Sequence, residues 1–547
     1  MKKQLLAAIA AMVVLGFTGS ISLHAQNATK AQASSSNTTV AENSMKADLL
    51  PTEPVSLHAA ASAAAPAPAF DPESPAAIHY KGVSITPVAF FAGEGVWRQH
   101  SVNSDINTPF NTIPMPGANE GHISELNFSG RQSRLGVLVE ANDGTYKFTG
   151  YGEMDFLSAG ATSNNNQSNS YTMRQRQIWG KVETQGGFAM SGGQMWSLVT
   201  RDGTSTNNRT EKLPNTIDAQ YMVGFSWERQ PSFRIQQRWG DPKTGAFTAA
   251  LAVEQAQITG FTATSATSGA VPTNFYFAGA GQGGGLYNAY SGTYANNVAP
   301  DLIVKGAWDM PKAHIELGGL ARFLRDYYFP ITNTTGGYTY SANAFANTKA
   351  AGGIFGSVSV SPNKYADLTV EAMAGDGVGR YGSSQLADAT LHPDGTLEPI
   401  RNYHGLLSIE THPTPKLDVF AYYGGEYAQR TVYTVTNTAA PGALMGYGAP
   451  NLSDTACYNL PTNPGSSTGG SPSAPSNCNS PTRYIQEPMV GFIYRVANSP
   501  KFGRLQYWVT YSYFQRNLWS GVGSASTPSG PRATEPMVDI SMRYYIP

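Results

Sequence analysis

Apolar residues recur at every second position of this chain, over stretches longer than an ordinary strand. From Thr145 to Leu157, Tyr146, Phe148, Met154 and Phe156 share one face, while Lys147, Thr149, Glu153 and Asp155 share the other. Phe247, Ala249, Leu251 and Val253 alternate with Thr248, Ala250, Ala252 and Glu254, and Ile315, Leu317, Ala321 and Phe323 with His314, Glu316, Gly318 and Arg322. Near the end of the chain Leu505, Tyr507, Val509, Tyr511 and Tyr513 alternate with Arg504, Gln506, Thr510, Ser512 and Arg516, and Val538, Ile540, Met542 and Tyr544 with Asp539, Ser541 and Arg543. A period of two belongs to an extended strand, whose successive side chains point to opposite faces. Several of these stretches run for about 10 to 15 residues, whereas globular strands usually have about five or six. Tilted strands of about 9 to 11 residues cross a bilayer.

About sixteen to eighteen such segments can be marked: 84–100, 123–142 (one strand or two), 145–158, 171–184, 187–200, 219–229, 232–240, 246–258, 300–311, 313–328, 352–362, 365–376, 402–412, 416–430, 484–497, 503–518 and 534–546. Their connections differ in length. Tight turns are expected at Asn142-Asp143-Gly144, Gln185-Gly186, Gln230-Pro231, Pro311-Lys312, Pro362-Asn363 and Pro413-Thr414-Pro415. Long polar connections fall at 101–121, 159–170, 201–218, 259–299, 329–351, 377–401 and 431–483. Short and long connections largely alternate, as in an up-and-down barrel with short periplasmic turns and long extracellular loops.

In lipid every backbone N–H and C=O needs a partner, and a sheet achieves this only by closing on itself. The sequence therefore predicts an all-β, antiparallel transmembrane barrel over 79–547. A soluble β-sandwich also alternates, but its polar face points outward. Composition separates the two. Charged residues make up only 13% of the chain and aromatics 11%, whereas soluble domains carry about 25% charged residues. Aromatic density of this kind suits interfacial girdles, for which Trp97, Trp179, Trp227, Tyr422, Tyr423, Tyr544 and Tyr545 are candidates. A formal net charge of −1 gives no nucleic-acid footprint.

Lys2 and Lys3 precede an apolar run from Leu5 to Phe17 and then small and polar residues to Ala25. This reads as an export signal over 1–25, with a signal anchor as the alternative. Residues 26–78 are rich in Ala, Ser, Asn and Pro and read as a periplasmic tether. Export places Cys457 and Cys478 in an oxidising compartment, which favours a disulfide closing one loop. Two free thiols are the alternative.

Charged residues on the strands are expected to face the lumen, because a charge turned to lipid at mid-depth costs roughly 2–4 kcal/mol. Arginines come in near pairs: Arg131 and Arg134, Arg174 and Arg176, Arg234 and Arg238, Arg322 and Arg325. Glu125, Glu153, Asp155, Glu254, Glu316 and Glu371 are candidates for the same face. Arg131 and Arg134 differ in parity, as do Arg322 and Arg325, so one member of each pair is expected at a bulge or strand end. These charges can brace the wall through ion pairs. They can also set up a transverse field that orients solutes and favours anions, a role suited to the permanent charge and forked donors of Arg.

The segments RQSRLGVLVEANDGTYKFTGYGEMDF, SYTMRQRQIWGKVE and FAMSGGQMWSLVTRD resemble the first half of Gram-negative outer-membrane porins of the DcaP-like and phosphate-selective-porin-like group. The matching elements are Ser133–Gly136, Glu153–Phe156, Arg174–Arg176 and Gly192–Ser197. The resemblance covers roughly 125–201 and is architectural thereafter. It implies a 16-stranded barrel, with eighteen as the upper count, a homotrimer in outer-membrane lipid, and an Arg-lined pore for passive diffusion of small hydrophilic, often anionic solutes. The pore-lining set expected from residues and resemblance together is Arg131, Arg134, Glu153, Asp155, Arg174, Arg176, Arg234, Arg238, Glu254, Glu316 and Arg322.

Catalysis is not expected. No GxSxG elbow is present among the residues, and no His pair has HxxxH spacing, so neither a cofactor nor a metal is called for. A secreted or surface β-sandwich for binding or adhesion is the competing class. A plugged active transporter would need a globular plug, for which 26–78 is too short and too simple.

Overall fold

The structure, a computed structural model, describes residues 77–157, 172–260, 275–276, 297–333, 339–340, 343–435, 442, 444–458, 478–523 and 530–547. Sixteen long strands form the wall: β1 (Val83–Arg98), β2 (Glu125–Ser129 continued by Arg134–Asn142), β3 (Tyr146–Asp155), β4 (Arg174–Thr184), β5 (Phe188–Trp196), β6 (Arg229–Asp241), β7 (Gly245–Glu254), β8 (Asp301–Met310), β9 (Ala313–Tyr328), β10 (Phe345–Asn363), β11 (Ala366–Asp376), β12 (Arg401–Thr414), β13 (Leu417–Ala428), β14 (Thr482–Ser499), β15 (Gly503–Leu518) and β16 (Arg532–Tyr545). Each pairs antiparallel with its neighbours in sequence. The ladder closes where β1 meets β16, from Phe90 opposite Tyr545 to Arg98 opposite Met537.

Short turns gather at one end and long loops at the other. The turn after β2 shows how local chemistry sets a reversal. Asn142 and Asp143 accept backbone N–H groups of Gly144, Thr145 and Tyr146 at 2.7–2.9 Å, and Gly144 has φ +89°, where a side chain is strained. Those donated hydrogen bonds hold the Asp143 carboxyl below its ordinary pKa.

The alternation resolves into outside and inside. Phe91, Phe148, Ile178, Phe233, Leu251, Leu317, Ile354, Val370, Tyr423, Val490, Tyr511 and Ile540 are exposed on the outer face. Glu153, Asp155, Arg176, Arg234, Glu254, Glu316, Arg322, Glu371 and Asp539 are buried on the inner face. The interior also holds an apolar stripe: Phe420, Tyr422, Met489, Trp508, Phe514 and Met537 pack against loop residues Phe110, Ile113, Met222, Val223 and Phe225. Phe110 stacks on Phe514 with ring centroids 5.1 Å apart.

Several expectations need correction. Segment 219–229 is not a strand of the wall: apart from Arg229, which opens β6, it is the returning half of a loop that lies inside the barrel. Its apolar residues Met222, Val223 and Phe225 are buried because that loop is enclosed. Gln230-Pro231 is not a turn but part of β6, where Pro231 pairs with Gln194. Proline is tolerated there because the β7 ladder begins only at Ser232, so no N–H is required of it. Of the girdle candidates, Trp97, Tyr423 and Tyr544 face outward, whereas Trp179, Tyr422 and Tyr545 are buried inside and Trp227 lies in the inner loop. The interval 123–142 occupies a single wall position, interrupted at 130–133, and Arg131 sits in that interruption.

Placing a charge on the exterior tests what that face meets. Leu317 is 60% exposed in the middle of β9. Leu317→Arg should lose about 2–4 kcal/mol of folding stability in phospholipid vesicles, measured as the heat-modifiable fraction against urea. An unchanged urea midpoint would mean that this face does not meet hydrocarbon.

Candidate functional site

After Trp196 the chain leaves the wall and enters the barrel. The neck of this loop, 197–228, is closed by the Ser197 N–H donating to the Glu228 carbonyl at 2.8 Å. A loop in that position carries backbone donors with no sheet to satisfy them, and each buried group left unpaired costs about 1–3 kcal/mol. Inward carboxylates of the wall meet that need. Glu254 accepts from Leu198 at 2.8 Å, Glu316 from Asp202 at 3.1 Å, Asp309 from Ser205 at 3.1 Å and Glu371 from Ser226 at 3.2 Å. Glu426 accepts from Gly224 at 2.9 Å and Glu487 from Val223 at 3.0 Å. Gly224 has φ +82°, and a Cβ there would lie 2.0 Å from the Gly405 carbonyl oxygen, so the loop touches the wall backbone directly. Loop cations reach the wall as well: Lys212 Nζ lies 3.5 Å from Asp367 and 3.7 Å from Glu410, and Arg201 Nε lies 3.3 Å from Glu371.

Where β3, β4 and the two ends of this loop meet, arginines and aromatics concentrate. Arg176 donates to Glu153 at 2.6 Å, to Asp155 at 2.7 Å and to the Tyr221 hydroxyl at 3.0 Å. Arg174 grips Asp155 with two bonds at 2.9 and 2.8 Å, and Arg134 lies 3.6 Å from Glu153. Arg209 sits over the Tyr151 ring at 4.8 Å. Arg229 lies over Trp196 at 4.8 Å and Trp227 at 5.3 Å. It forms no ion pair among the described residues, and its buried Nη1 has no hydrogen-bond partner. Five guanidiniums thus face two carboxylates, Glu153 and Asp155. The arrangement leaves a cationic excess and can draw in and orient an anion.

The other expected residues lie elsewhere on the wall. Arg131 pairs with Asp105 at 2.8 Å near the long loops. Arg234 donates to the carbonyls of Thr206 and Trp196 at 3.1 and 2.7 Å, fixing the inner loop. Arg238, near the short-turn end, is 4.0 Å from Glu183. Glu254 and Glu316 face inward and hold loop N–H groups as described. Arg322 pairs with Asp301 at 3.1 Å and with Asp388 of loop 377–400 at 3.0 Å, and so ties a second loop into the interior. Cys457 and Cys478 are joined by a disulfide within loop 429–481, and the Cys457 carbonyl accepts from Gly117 of the first loop at 2.7 Å.

Asp367, Glu410 and His412 bring possible metal-ligating atoms within 4.8 Å of one another. The cation held there is the Lys212 ammonium, while His412 Nδ1 engages Asp418 at 2.7 Å. Sequence reasoning missed Arg229 and Arg209, the first because its segment read as a strand and the second because it lies in a loop with no periodicity. Tyr221 was missed because its segment read as a strand, while Trp196 was placed only in a strand motif and Trp227 only in a girdle. The one signal for them was aromatic density flanking RQ at 229–230.

No protein-family model matches the chain, and no curated protein matches its sequence. In structure it is similar to the outer membrane channel DcaP of Acinetobacter baumannii, at 13% identity and a TM-score of 0.54, over 86% of this chain and 100% of that one. It is more distantly similar to an anion-selective porin from Comamonas acidovorans, at 9% identity and a TM-score of 0.43, over 85% of this chain and 100% of that one. At these identities the likeness is one of fold.

Burial pushes the Asp218 carboxyl up to about 6 and the Glu211 carboxyl up to about 7. Both belong to the inner loop, and Asp218 also accepts the Thr108 N–H of the first loop at 3.1 Å. Their folded values lie above their unfolded ones. Their contribution to docking is therefore complete below about pH 4 and is lost as pH rises through 6 to 7. Amide exchange over 202–220, corrected for intrinsic rates, should be at least threefold slower at pH 5 than at pH 8. Asp218→Asn should flatten part of this dependence, and equal protection at both pH values would contradict it.

Proposed function

We propose that this protein is a passive diffusion channel of the bacterial outer membrane, for small hydrophilic and preferentially anionic solutes. In this reading residues 1–25 direct export, 26–78 form a periplasmic tether, the short turns face the periplasm and the long loops face outside. The barrel works as a homotrimer in outer-membrane lipid. A solute passes by diffusion, with no bond made or broken.

One observation carries the reading: a closed wall that is apolar outside encloses a charged interior whose Arg134–Arg174–Arg176–Arg209–Arg229 patch exceeds its carboxylates. An apolar exterior on a closed ladder suits hydrocarbon. Fixed guanidiniums along the interior lower the potential energy of an anion there and raise that of a cation. Arg174, whose side chain is 36% exposed, is open to solvent. The remaining carboxylates of the pore-lining set, Glu254 and Glu316, hold the inner loop, so they narrow the path more than they set its sign. A β-sandwich does not fit a ladder whose first and last strands pair.

Replacing Arg174 and Arg176 together by Gln removes two charges from this patch. Under a salt gradient in planar bilayers, the double variant should shift its reversal potential toward zero or into the cation-selective range, with anion-over-cation permeability falling at least twofold. A reversal potential equal to wild type would contradict the assignment.

A further inference from the structure

A second arginine–aromatic cluster lies at the long-loop end of the wall, remote in sequence from the inner loop. Trp519 follows directly on β15. Arg430, two residues beyond β13, lies over its ring at 4.6 Å, and Arg483, at the start of β14, lies over it at 4.8 Å. Two guanidiniums on one indole repel each other, and neither forms an ion pair with a carboxylate among the described residues. Arg430 donates from Nη2 to Ser520, to its carbonyl at 3.0 Å and its hydroxyl at 3.4 Å. The Nε atoms of both arginines are buried without a hydrogen-bond partner. Burial, and then the Arg483 charge, pull the Arg430 guanidinium below its ordinary value.

The cluster sits at the long-loop rim, where Trp519 packs against the interior apolar cluster on one side and aromatic residues of outward parity on the other. Trp519 meets the Tyr427 ring edge-on at 6.0 Å, and Tyr427 meets Tyr403 at 6.1 Å. Tyr403 is 43% exposed on the exterior, and Tyr427 shares the outward parity of Tyr423. Arg483 also lies over Tyr484 at 5.9 Å. Tyr484 in turn lines a cavity of about 560 Å³ with His100, Gln515, Asn517 and Arg532. Exposed tyrosines at the end of an apolar wall mark the level of lipid headgroups. Paired guanidiniums without a carboxylate partner match a phosphate monoester in charge and in their forked geometry.

We propose that Arg430 and Arg483, braced on Trp519, form a phosphate-binding site at the outer rim of the barrel, filled by the phosphate of an outer-leaflet lipid headgroup. The site does not depend on which solute crosses the lumen. Its occupant neutralises two like charges that the protein leaves unpaired, and it fastens the β13–β14–β15 edge to the membrane surface.

The experiment compares wild type with Arg430→Gln/Arg483→Gln, each refolded in detergent and shown to give the heat-modifiable band and the wild-type reversal potential. Native mass spectrometry counts bound diphosphoryl lipid A, dephosphorylated lipid A or inorganic phosphate per barrel. Wild type should retain diphosphoryl lipid A at least fivefold more than the dephosphorylated form, and the double variant should lose that preference. If wild type and double variant differ in binding inorganic phosphate but not lipid A, the phosphate site stands and the lipid source falls. Equal retention of all three ligands by both proteins would overturn the proposal. Should the double variant not fold, the wild-type comparison of phosphorylated with dephosphorylated lipid A decides it alone, since a preference below twofold is contrary to it.

Discussion

The pairing of β1 with β16 is the constraint on which everything else rests. A sheet with two free edges exposes rows of unpaired N–H and C=O groups. Here the last strand supplies the partner for the first, from Phe90–Tyr545 to Arg98–Met537. Closure has two consequences. It lets the exterior be apolar throughout, because no backbone polar group on that side needs water. It also creates an enclosed interior in which any charged side chain must find a partner.

The interior meets that demand by importing loops. Loop 197–228 offers backbone N–H groups, and carboxylates on seven wall strands or their edges receive them or the loop's cations. Loop 377–400 joins through Asp388 and Arg322, and the first loop through Phe110 on Phe514. The side of the wall formed by β13–β16 carries an inward apolar stripe among its buried charges, and the loops cover that stripe. Charge is therefore distributed unevenly: over much of the interior the acids are held by loop N–H groups or by loop cations, while guanidiniums outnumber carboxylates in the patch at β3–β4 and the loop neck.

The fold was largely legible in the chain, because period two over ten or more residues admits few structures. Glu153, Asp155, Arg176, Arg234, Glu254, Glu316 and Arg322 were expected on the inner face because a charge turned to lipid is costly, and all seven are buried. Legibility failed where a loop is itself enclosed. Met222, Phe225 and Trp227 look like strand residues because they are surrounded by wall on both sides. It failed again for the aromatics: Trp179 and Tyr422 occupy inward positions, where Trp179 packs on Tyr151 and the Tyr422 hydroxyl donates to Glu410 at 2.6 Å. Composition counts aromatic rings but does not say which face carries them. The arginine–aromatic patch was half visible. Arg174 and Arg176 stand in a short motif, while Arg209 and Tyr221 arrive only through the path of the loop and Arg229 opens β6 where that loop ends.

The central claim is that the outer face meets acyl chains and the inner face does not, and tryptophan depth reports on it directly. Trp308 is 41% exposed on the exterior of β8, whereas Trp508 is 2% exposed on the interior of β15. Single-tryptophan variants retaining one or the other can be folded into bilayers whose lipids carry bromine along the acyl chain. The account predicts strong quenching of Trp308 and little quenching of Trp508. Equal quenching of the two, or quenching of Trp508 alone, would contradict it.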